Sequence, residues 1–197
     1  MNSFFYEHKK IQSYIVPSVS MCPSVHTGDR FFIEKNASYE RGKVYVHSLP
    51  SDPSDIFIKR LIGLPGDKIS IRNGDLFINE KSLFVSKQPA GHQLIDGCSQ
   101  RLLGELAGFS KTEAMIYEAS IDDQSISFLF LGSSMNDFQE ILVPSGQYFF
   151  IGDNLNLTYD SRTYGLVEAN DIKGKALYSY FSSHAGQVFW SRIGHKY

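Results

Sequence analysis

The chain has 197 residues, which is enough for one folded domain or for one domain carrying a sizeable insertion. A formal net charge of −2 excludes the basic surface by which proteins usually bind nucleic acid. Apolar runs are far shorter than the roughly 18–20 residues that span a bilayer, and the N-terminus lacks a signal-peptide pattern. As written, the sequence therefore predicts a soluble chain. Cys22 and Cys98 lack the spacing of metal ligands, so neither a metal nor a cofactor is expected.

The first half of the chain has the pattern of antiparallel β structure. Strand-like runs separated by loops rich in Gly, Pro, Ser and Asp occupy residues 30–35, 43–49 and 55–64. Residues 68–72 and 75–79 alternate on either side of Asn73-Gly74, which suits the positive φ angles of a type I′ turn. This predicts a β-hairpin.

The second half begins with a change of composition at about residue 86. Gly, Ser and Gln increase there, and four apolar residues fall at near-helical spacing: Leu102, Leu103, Leu106 and Phe109. Strand patterns return at residues 126–131, 140–143, 147–152, 173–181 and 187–193. We interpret residues 86–139 as an inserted variable subdomain that divides a larger core into residues 1–85 and 140–197. The predicted fold class is mainly β and antiparallel, with at most one or two short helices.

The first segment that suggests chemistry is Pro-Ser-Val-Ser-Met-Cys-Pro-Ser at residues 17–24. In an extended backbone Ser18 and Ser20 point to the same side. One hydroxyl is then placed to attack a carbonyl while the other donates a hydrogen bond to the developing oxyanion. Taken alone, the segment is more typical of a polar turn, because Ser and Pro are common loop residues.

The second segment places Lys59 within an apolar strand pattern. Alternation puts Phe57, Lys59 and Leu61 on one face. Apolar neighbours disfavour the ammonium and lower the pKa of a lysine from about 10.4, which makes its amine a base for serine. The alternative is a surface lysine that extends over Phe57. The pair Ser20 and Lys59 predicts a Ser/Lys hydrolase.

The third segment, residues 152–162, follows an apolar strand and begins with the turn signal Gly-Asp-Asn. Asp160 and Arg162 are two residues apart, so they either pair and brace this loop or form a weak surface ion pair.

Taken together and in this order, the three segments resemble the bacterial type I signal (leader) peptidases, in particular the proteobacterial-like branch. The family signature has a Pro-Ser-x-Ser-Met-x-Pro box, a Lys-Arg-x-x-Gly-x-Pro-Gly-Asp box and a Gly-Asp-Asn-x-x-x-Ser-x-Asp-Ser-Arg box. They correspond here to residues 17–23, 59–67 and 152–162. The resemblance covers nearly the whole chain outside residues 86–137.

The resemblance implies a serine endopeptidase with no cofactor. Ser20 would be the nucleophile and Lys59 its general base, and Ser18 would contribute its hydroxyl to the oxyanion hole. Thr158 would hold the lysine amine by a hydrogen bond. Asp160 with Arg162 would brace that loop.

The family also implies architecture, substrate and location. We expect two curved antiparallel sheets with a variable insertion, and an active site near a hydrophobic surface that rests on the membrane. The substrates would be secretory preproteins with small residues at positions −1 and −3, the Ala-x-Ala pattern. The catalytic domain would act as a monomer on the periplasmic face of the bacterial inner membrane.

Several positions depart from the family pattern. Val19 replaces a glycine between the two serines and is expected to narrow the cleft. The other departures are Cys22, Ser24, Leu155, Asn156, Leu157 and Thr158. The chain also starts nineteen residues before Ser20, where family members carry transmembrane anchors, so the anchor is either removed or naturally absent.

Other functions stay open at this point. A conjugation-type pilin-processing peptidase uses the same residues, and a self-cleaving repressor domain uses a related Ser/Lys pair but lacks the third box. A catalytically weak paralogue that binds signal peptides is the alternative from another class, and Val19 and residues 155–157 favour it.

Overall fold

The computed structural model describes residues 11–49, 51–90, 114–122, 124–131 and 135–197. Within these ranges β-strands dominate and the α-helical part is a single turn. The strands are β1 (Gln12–Ile15), β2 (Asp29–Glu34), β3 (Val44–Leu49), β4 (Asp52–Gly63), β5 (Lys68–Arg72), β6 (Asp75–Ile78), β7 (Lys81–Ser82), β8 (Phe84–Pro89), β9 (Ala114–Ile121), β10 (Gln124–Leu131), β11 (Phe138–Leu142), β12 (Gln147–Ile151), β13 (Val167–Glu168), β14 (Ile172–His184) and β15 (Gln187–Val188). The helices are α1 (Ser161–Tyr164) and two 3-10 turns at Ala169–Asp171 and Trp190–Arg192.

The largest sheet has the strand order β1-β2-β14-β3-β4-β12-β13, and β15 pairs with the end of β14. Its neighbouring strands are antiparallel throughout the described chain. The long strand β14 lies between two hairpins. Its first residues pair with β3, as in Ile172 opposite His47, and its later residues pair with β2, as in Ser182 opposite Asp29. The hairpins β1–β2 and β3–β4 are therefore joined through β14.

Two smaller antiparallel sheets complete the described structure, with the orders β11-β5-β6-β7 and β10-β9-β8. The turn between β5 and β6 has φ angles of 54° at Asn73 and 76° at Gly74. Both positive angles fit the type I′ turn that Asn-Gly favours, so the predicted hairpin is confirmed.

The predicted fold class, mainly β and antiparallel, is confirmed. The described strands form three hydrogen-bonded sheets where two were expected. The predicted strand at residues 187–193 is wrong beyond Val188, because the chain turns into the 3-10 helix Trp190–Arg192. The near-helical spacing at residues 102–109 lies outside the described residues. The sequence patterns did not predict strands β1, β7, β8, β9 and β13.

The main hydrophobic core lies where the three sheets meet. Ile62 of β4, Ile69 of β5, Phe128 of β10 and Phe149 of β12 are all completely buried in one cluster. Strands β9 and β10, which fall within the predicted insertion, therefore share a core with the large sheet. The proposed boundaries at residues 86 and 139 stay a prediction.

Candidate active site

The serine segment forms a hydrogen-bonded turn directly after β1. The Cys22 N–H donates to the Val19 carbonyl at 3.1 Å, which closes the turn around Ser20. Ser18 is exposed and Ser20 is 9% exposed. Their hydroxyl oxygens lie 3.2 Å apart. We call residues 18–22 the nucleophile turn.

Lys59 reaches the nucleophile turn from strand β4. Its Nζ lies 2.9 Å from Ser20 Oγ and 2.9 Å from the Ile58 carbonyl, to which it donates. The side chain is 4% exposed, which excludes the surface-lysine interpretation. The structure thus brings together two residues that are 39 positions apart in sequence.

Burial also sets the protonation of Lys59. It lowers the pKa of the amine from 10.5 to about 8, because the ammonium loses its hydration. The carboxylates of Asp160 and Asp153 act in the opposite direction and raise this pKa. A pKa near 8 leaves a useful fraction of neutral amine at physiological pH, as a general base requires.

The loop that follows β12 holds both partners in place. The Asn154 N–H donates to the Ser20 carbonyl at 3.0 Å. Asp153 is completely buried and accepts two hydrogen bonds from Arg60, the residue after Lys59, at 2.7 and 2.5 Å. A side chain at Gly152 would lie 2.6 Å from the Ser20 carbonyl, so only glycine allows this close approach.

Asp160 and Arg162 form a bidentate pair in the same loop. Arg162 Nε donates to one carboxylate oxygen at 2.9 Å and Nη2 to the other at 2.7 Å. Asp160 also caps helix α1 and accepts from the Gly152 N–H at 3.1 Å. Arg162 Nη2 further donates to the Leu155 carbonyl. Because Asp160 is only 1% exposed, this is a buried brace of the loop rather than a weak surface pair.

The predicted hydrogen bond between Thr158 and Lys59 is wrong. Thr158 Oγ1 is buried and has no hydrogen-bond partner in the described structure. The lysine amine uses the Ile58 carbonyl and Ser20 Oγ instead. Thr158 contacts the Gly152 backbone so closely that a side chain there would overlap its hydroxyl.

The expectation that Val19 narrows the cleft is also wrong. Its side chain is 5% exposed and points away from the dyad into a small apolar cluster. We call this the anchor cluster; its buried members are Val19, Cys22, Ala114, Ile116, Leu129 and Leu131, with Ala90 and Leu157 packed against it. Of the departures in the third segment, Leu155 is buried in the main core and Leu157 joins the anchor cluster.

A groove of about 290 Å³ opens beside the dyad. Its walls are mainly apolar and come from the end of β1, the nucleophile turn, β4 and the loop after β12. The lining residues include Met21, Ile56, Phe57, Ile58 and Leu157. Strand β4 pairs with β3 on one side, whereas β12 covers its other side only from Arg60 onward. Among the described residues, no strand pairs with this second edge of β4 before Arg60, and such an edge can accept an added extended peptide.

Sequence reasoning gave no role to Arg60, Asp153 and Asn154, although all three lie in the signature boxes. Their positions inside those boxes were the available signal. It also left Cys22 unpaired, whereas Cys22 is disulfide-bonded in the structure. The other cysteine, Cys98, lies outside the described residues.

Across the described ranges, no three His, Cys, Asp or Glu side chains are grouped as ligands for a metal ion. Within the same ranges, none of the helices has the length and apolar character of a membrane span.

Known proteins match this chain over most of its length. Residues 3–181 match the family described as "Signal peptidase, peptidase S26". Signal peptidase I of Bacillus amyloliquefaciens is 30% identical over 184 residues, which cover 90% of this chain and 77% of the relative. Signal peptidase I of Buchnera aphidicola is 29% identical, with 96% of this chain and 73% of the relative covered. A crystal structure of signal peptidase I from Enterococcus faecalis aligns with a TM-score of 0.40 at 26% identity, covering 71% of this chain and 97% of that one.

These matches first define the class: the protein is a serine peptidase. More narrowly, the chain belongs to the signal peptidase family, peptidase S26, and its reaction is the removal of signal peptides. The resemblance inferred from the three boxes is thereby confirmed.

Proposed function

We propose that the protein cleaves signal peptides from secretory preproteins with Ser20 as nucleophile and Lys59 as general base. The observation that carries this proposal is the 2.9 Å contact between Lys59 Nζ and Ser20 Oγ. A buried amine with a lowered pKa next to a serine hydroxyl is the arrangement that activates serine without histidine.

The reaction begins when neutral Lys59 takes the proton of Ser20 Oγ as that oxygen attacks the scissile carbonyl carbon. The Ser18 hydroxyl and the Ser20 backbone N–H stabilise the oxyanion that forms. The C–N bond then breaks, and Lys59 passes its proton to the leaving amine. Water, deprotonated by the same lysine, hydrolyses the acyl-enzyme and regenerates Ser20.

Asp160 and Arg162 support the reaction by fixing the loop after β12. Their buried bidentate pair holds Gly152 against the Ser20 carbonyl through the Gly152 N–H. The Asp160 charge also keeps the pKa of Lys59 from falling further.

The groove supports an extended substrate with small side chains. A peptide that pairs with the open edge of β4 places its backbone beside Ser20 and Lys59. Apolar walls from Met21, Ile58 and Leu157 in a groove of about 290 Å³ leave room for alanine-sized residues. This supports the Ala-x-Ala preference.

We further propose that the domain acts as a monomer at the extracytoplasmic surface of the bacterial inner membrane. Nucleophile and base both come from one chain. On the large sheet, Phe32 stacks on Tyr180 at 4.4 Å and lies edge-on to Tyr178 at 5.8 Å, and Ile15 shares their face. We call these four residues the outer aromatic face. Three of them are well exposed: Ile15 (54%), Tyr178 (42%) and Tyr180 (36%). Val16, which follows Ile15 in the chain, lines the groove, so this face lies close to it. Such a face suits the membrane interface, where amphipathic aromatic rings settle.

The dyad is tested with the variants Lys59→Met and Ser20→Ala and a purified preprotein carrying an Ala-x-Ala site. Both variants should lose cleavage, because one lacks the base and the other the nucleophile. Lys68→Met is the matched control, since Lys68 is an exposed lysine outside the groove. Cleavage by Lys59→Met at the rate of this control would refute the assignment. The same assay with a conjugative prepilin as substrate tests the pilin-processing alternative, which requires that the prepilin is cleaved.

A further inference from the structure

The anchor cluster connects the nucleophile to the small sheet β8–β9–β10. Val19 precedes Ser20 directly, and its buried side chain packs among residues of β9 and β10 such as Ile116, Leu129 and Leu131. These three residues are 2%, 1% and 2% exposed. The nucleophile turn is thus seated on a rigid apolar surface on the side away from the groove.

Backbone hydrogen bonds also connect β10 with the nucleophile turn, through the loop after β12. The Leu129 N–H donates to the Asp153 carbonyl and the Leu155 N–H donates to the Leu129 carbonyl, both at 2.8 Å. The Leu131 N–H donates to Asn156 Oδ1 at 2.6 Å. The same loop reaches Ser20 through the Asn154 N–H. Strand β10 therefore holds the loop, and the loop holds the carbonyl of the nucleophile.

The apolar departures from the family pattern fall within this connection. Val19 and Leu157, which replace a glycine and a polar residue of the family signature, pack on the same cluster. Their side chains fill one space between the nucleophile turn, the loop after β12 and the small sheet. Leu157 also lines the groove, whereas Val19 does not.

We propose that Val19 is a positioning residue, seated against Leu131 and Leu129 of β10, that fixes Ser20 Oγ at its working distance from Lys59. This proposal rests on Ser20 being the nucleophile. Removing the buried methyl groups of Val19 opens a void beside Ser20, which the turn relaxes into. A displacement of Ser20 Oγ by about 1 Å lowers the rate on the order of a hundredfold. The loss should therefore appear in kcat.

The test compares Val19→Ala with Leu131→Ala in steady-state cleavage of a preprotein. Leu131 lies on β10 and does not line the groove. Each variant should lower kcat about tenfold or more, with KM within about twofold. The double variant should lose less than the product of the two single effects, because both changes release the same contact.

Two controls separate positioning from loss of stability. Val167→Ala removes a completely buried valine from a different cluster, and Ile121→Ala removes a buried residue of β9 outside the anchor cluster. At temperatures well below unfolding, both controls should retain kcat, even if their melting temperatures fall as much as those of Val19→Ala and Leu131→Ala. Normal kcat in Val19→Ala and Leu131→Ala, or equal losses in the controls, would overturn the proposal. If Lys59→Met stays active, the dyad assignment fails instead, so the two failures are distinguishable.

Discussion

At the scale of single residues, the reactivity of Lys59 depends on its surroundings more than on its own chemistry. Burial disfavours the ammonium, while the carboxylates of Asp160 and Asp153 favour it, and the outcome is a pKa of about 8. The pKa of the proposed base therefore depends on residues that lie 94 and 101 positions later in the chain.

This balance predicts the pH dependence of the reaction. Only the neutral amine accepts a proton, so kcat/KM should rise with pH through about 8 and level off above it. Asp160→Asn removes the charge that most strongly raises the pKa of Lys59, so the rising part of the profile should move to lower pH. The measurement is kcat/KM for a soluble peptide from mildly acidic to alkaline pH.

Asp52→Asn is the control for that profile, because Asp52 is an exposed carboxylate at the start of β4. Its profile should match that of the unaltered protein. A profile that is flat across this range, or one that Asp52→Asn shifts as much as Asp160→Asn does, would contradict the role given to Lys59.

At the scale of elements, the buried pair Arg60–Asp153 ties strand β4 to the end of β12. Arg60 is 5% exposed, and besides Asp153 it donates to the Gly42 carbonyl at 2.5 Å. This buried ion pair therefore reinforces the backbone pairing of β4 and β12 just where the loop after β12 begins.

Removing one partner of this pair should destabilise the fold. Asp153→Ala leaves the Arg60 cation buried without its counter-ion, which costs on the order of 3–5 kcal/mol. The free energy of unfolding from urea titration measures the loss. Glu80→Ala breaks an exposed pair with Arg72 and should barely change this free energy. Equal stability of the two variants would show that the Arg60–Asp153 pair is not needed.

Strand patterns in the sequence predicted β3 and β4 well and the segment that follows β15 badly. Residues 43–49 and 55–64 form β3 and β4, which pair with each other; β3 is buried along its whole length and β4 from Ile58 onward. Residues 187–193 also contain apolar side chains, but Arg192 is pulled into a buried pair with Asp29 at 2.5 Å. That contact spans 163 positions in sequence, so no local pattern reveals it.

Contacts between residues distant in sequence also limited what could be predicted of the candidate site. The order of the boxes identified Ser20 and Lys59, because their spacing and residue types carry the resemblance. The direction of the Val19 side chain and the partner of Thr158 depend on what packs around them. Strand β9, which supplies part of the anchor cluster, was not predicted at all.

At the scale of the whole molecule, the outer aromatic face predicts binding to lipid. The double variant Tyr178→Ser, Tyr180→Ser should bind vesicles of phosphatidylethanolamine and phosphatidylglycerol at least about tenfold more weakly, because fully burying each large apolar side chain contributes roughly 1.5–3 kcal/mol and about 1.4 kcal/mol is tenfold. Co-sedimentation measures the binding, and cleavage of a soluble peptide should be unchanged.

Val85→Ser is the matched control, since Val85 is 67% exposed on β8, outside the outer aromatic face. It should bind vesicles as the unaltered protein does. Equal binding by the double variant and this control would show that the domain meets the membrane elsewhere or not at all.

The position of β14 has a consequence for synthesis on the ribosome. The connection between β1 and β2 contains Ser20, and the hairpin β3–β4 carries Lys59, yet β14 lies between the two hairpins in the sheet and follows both of them in the chain. The loop that links Ser20 to Arg60 through Asp153 and Asn154 also follows both hairpins in the chain. A nascent chain therefore has both reactive groups but no joined sheet to hold them together. The proposed dyad is therefore assembled only after β14 and this loop have joined the two hairpins, and not by the hairpins alone.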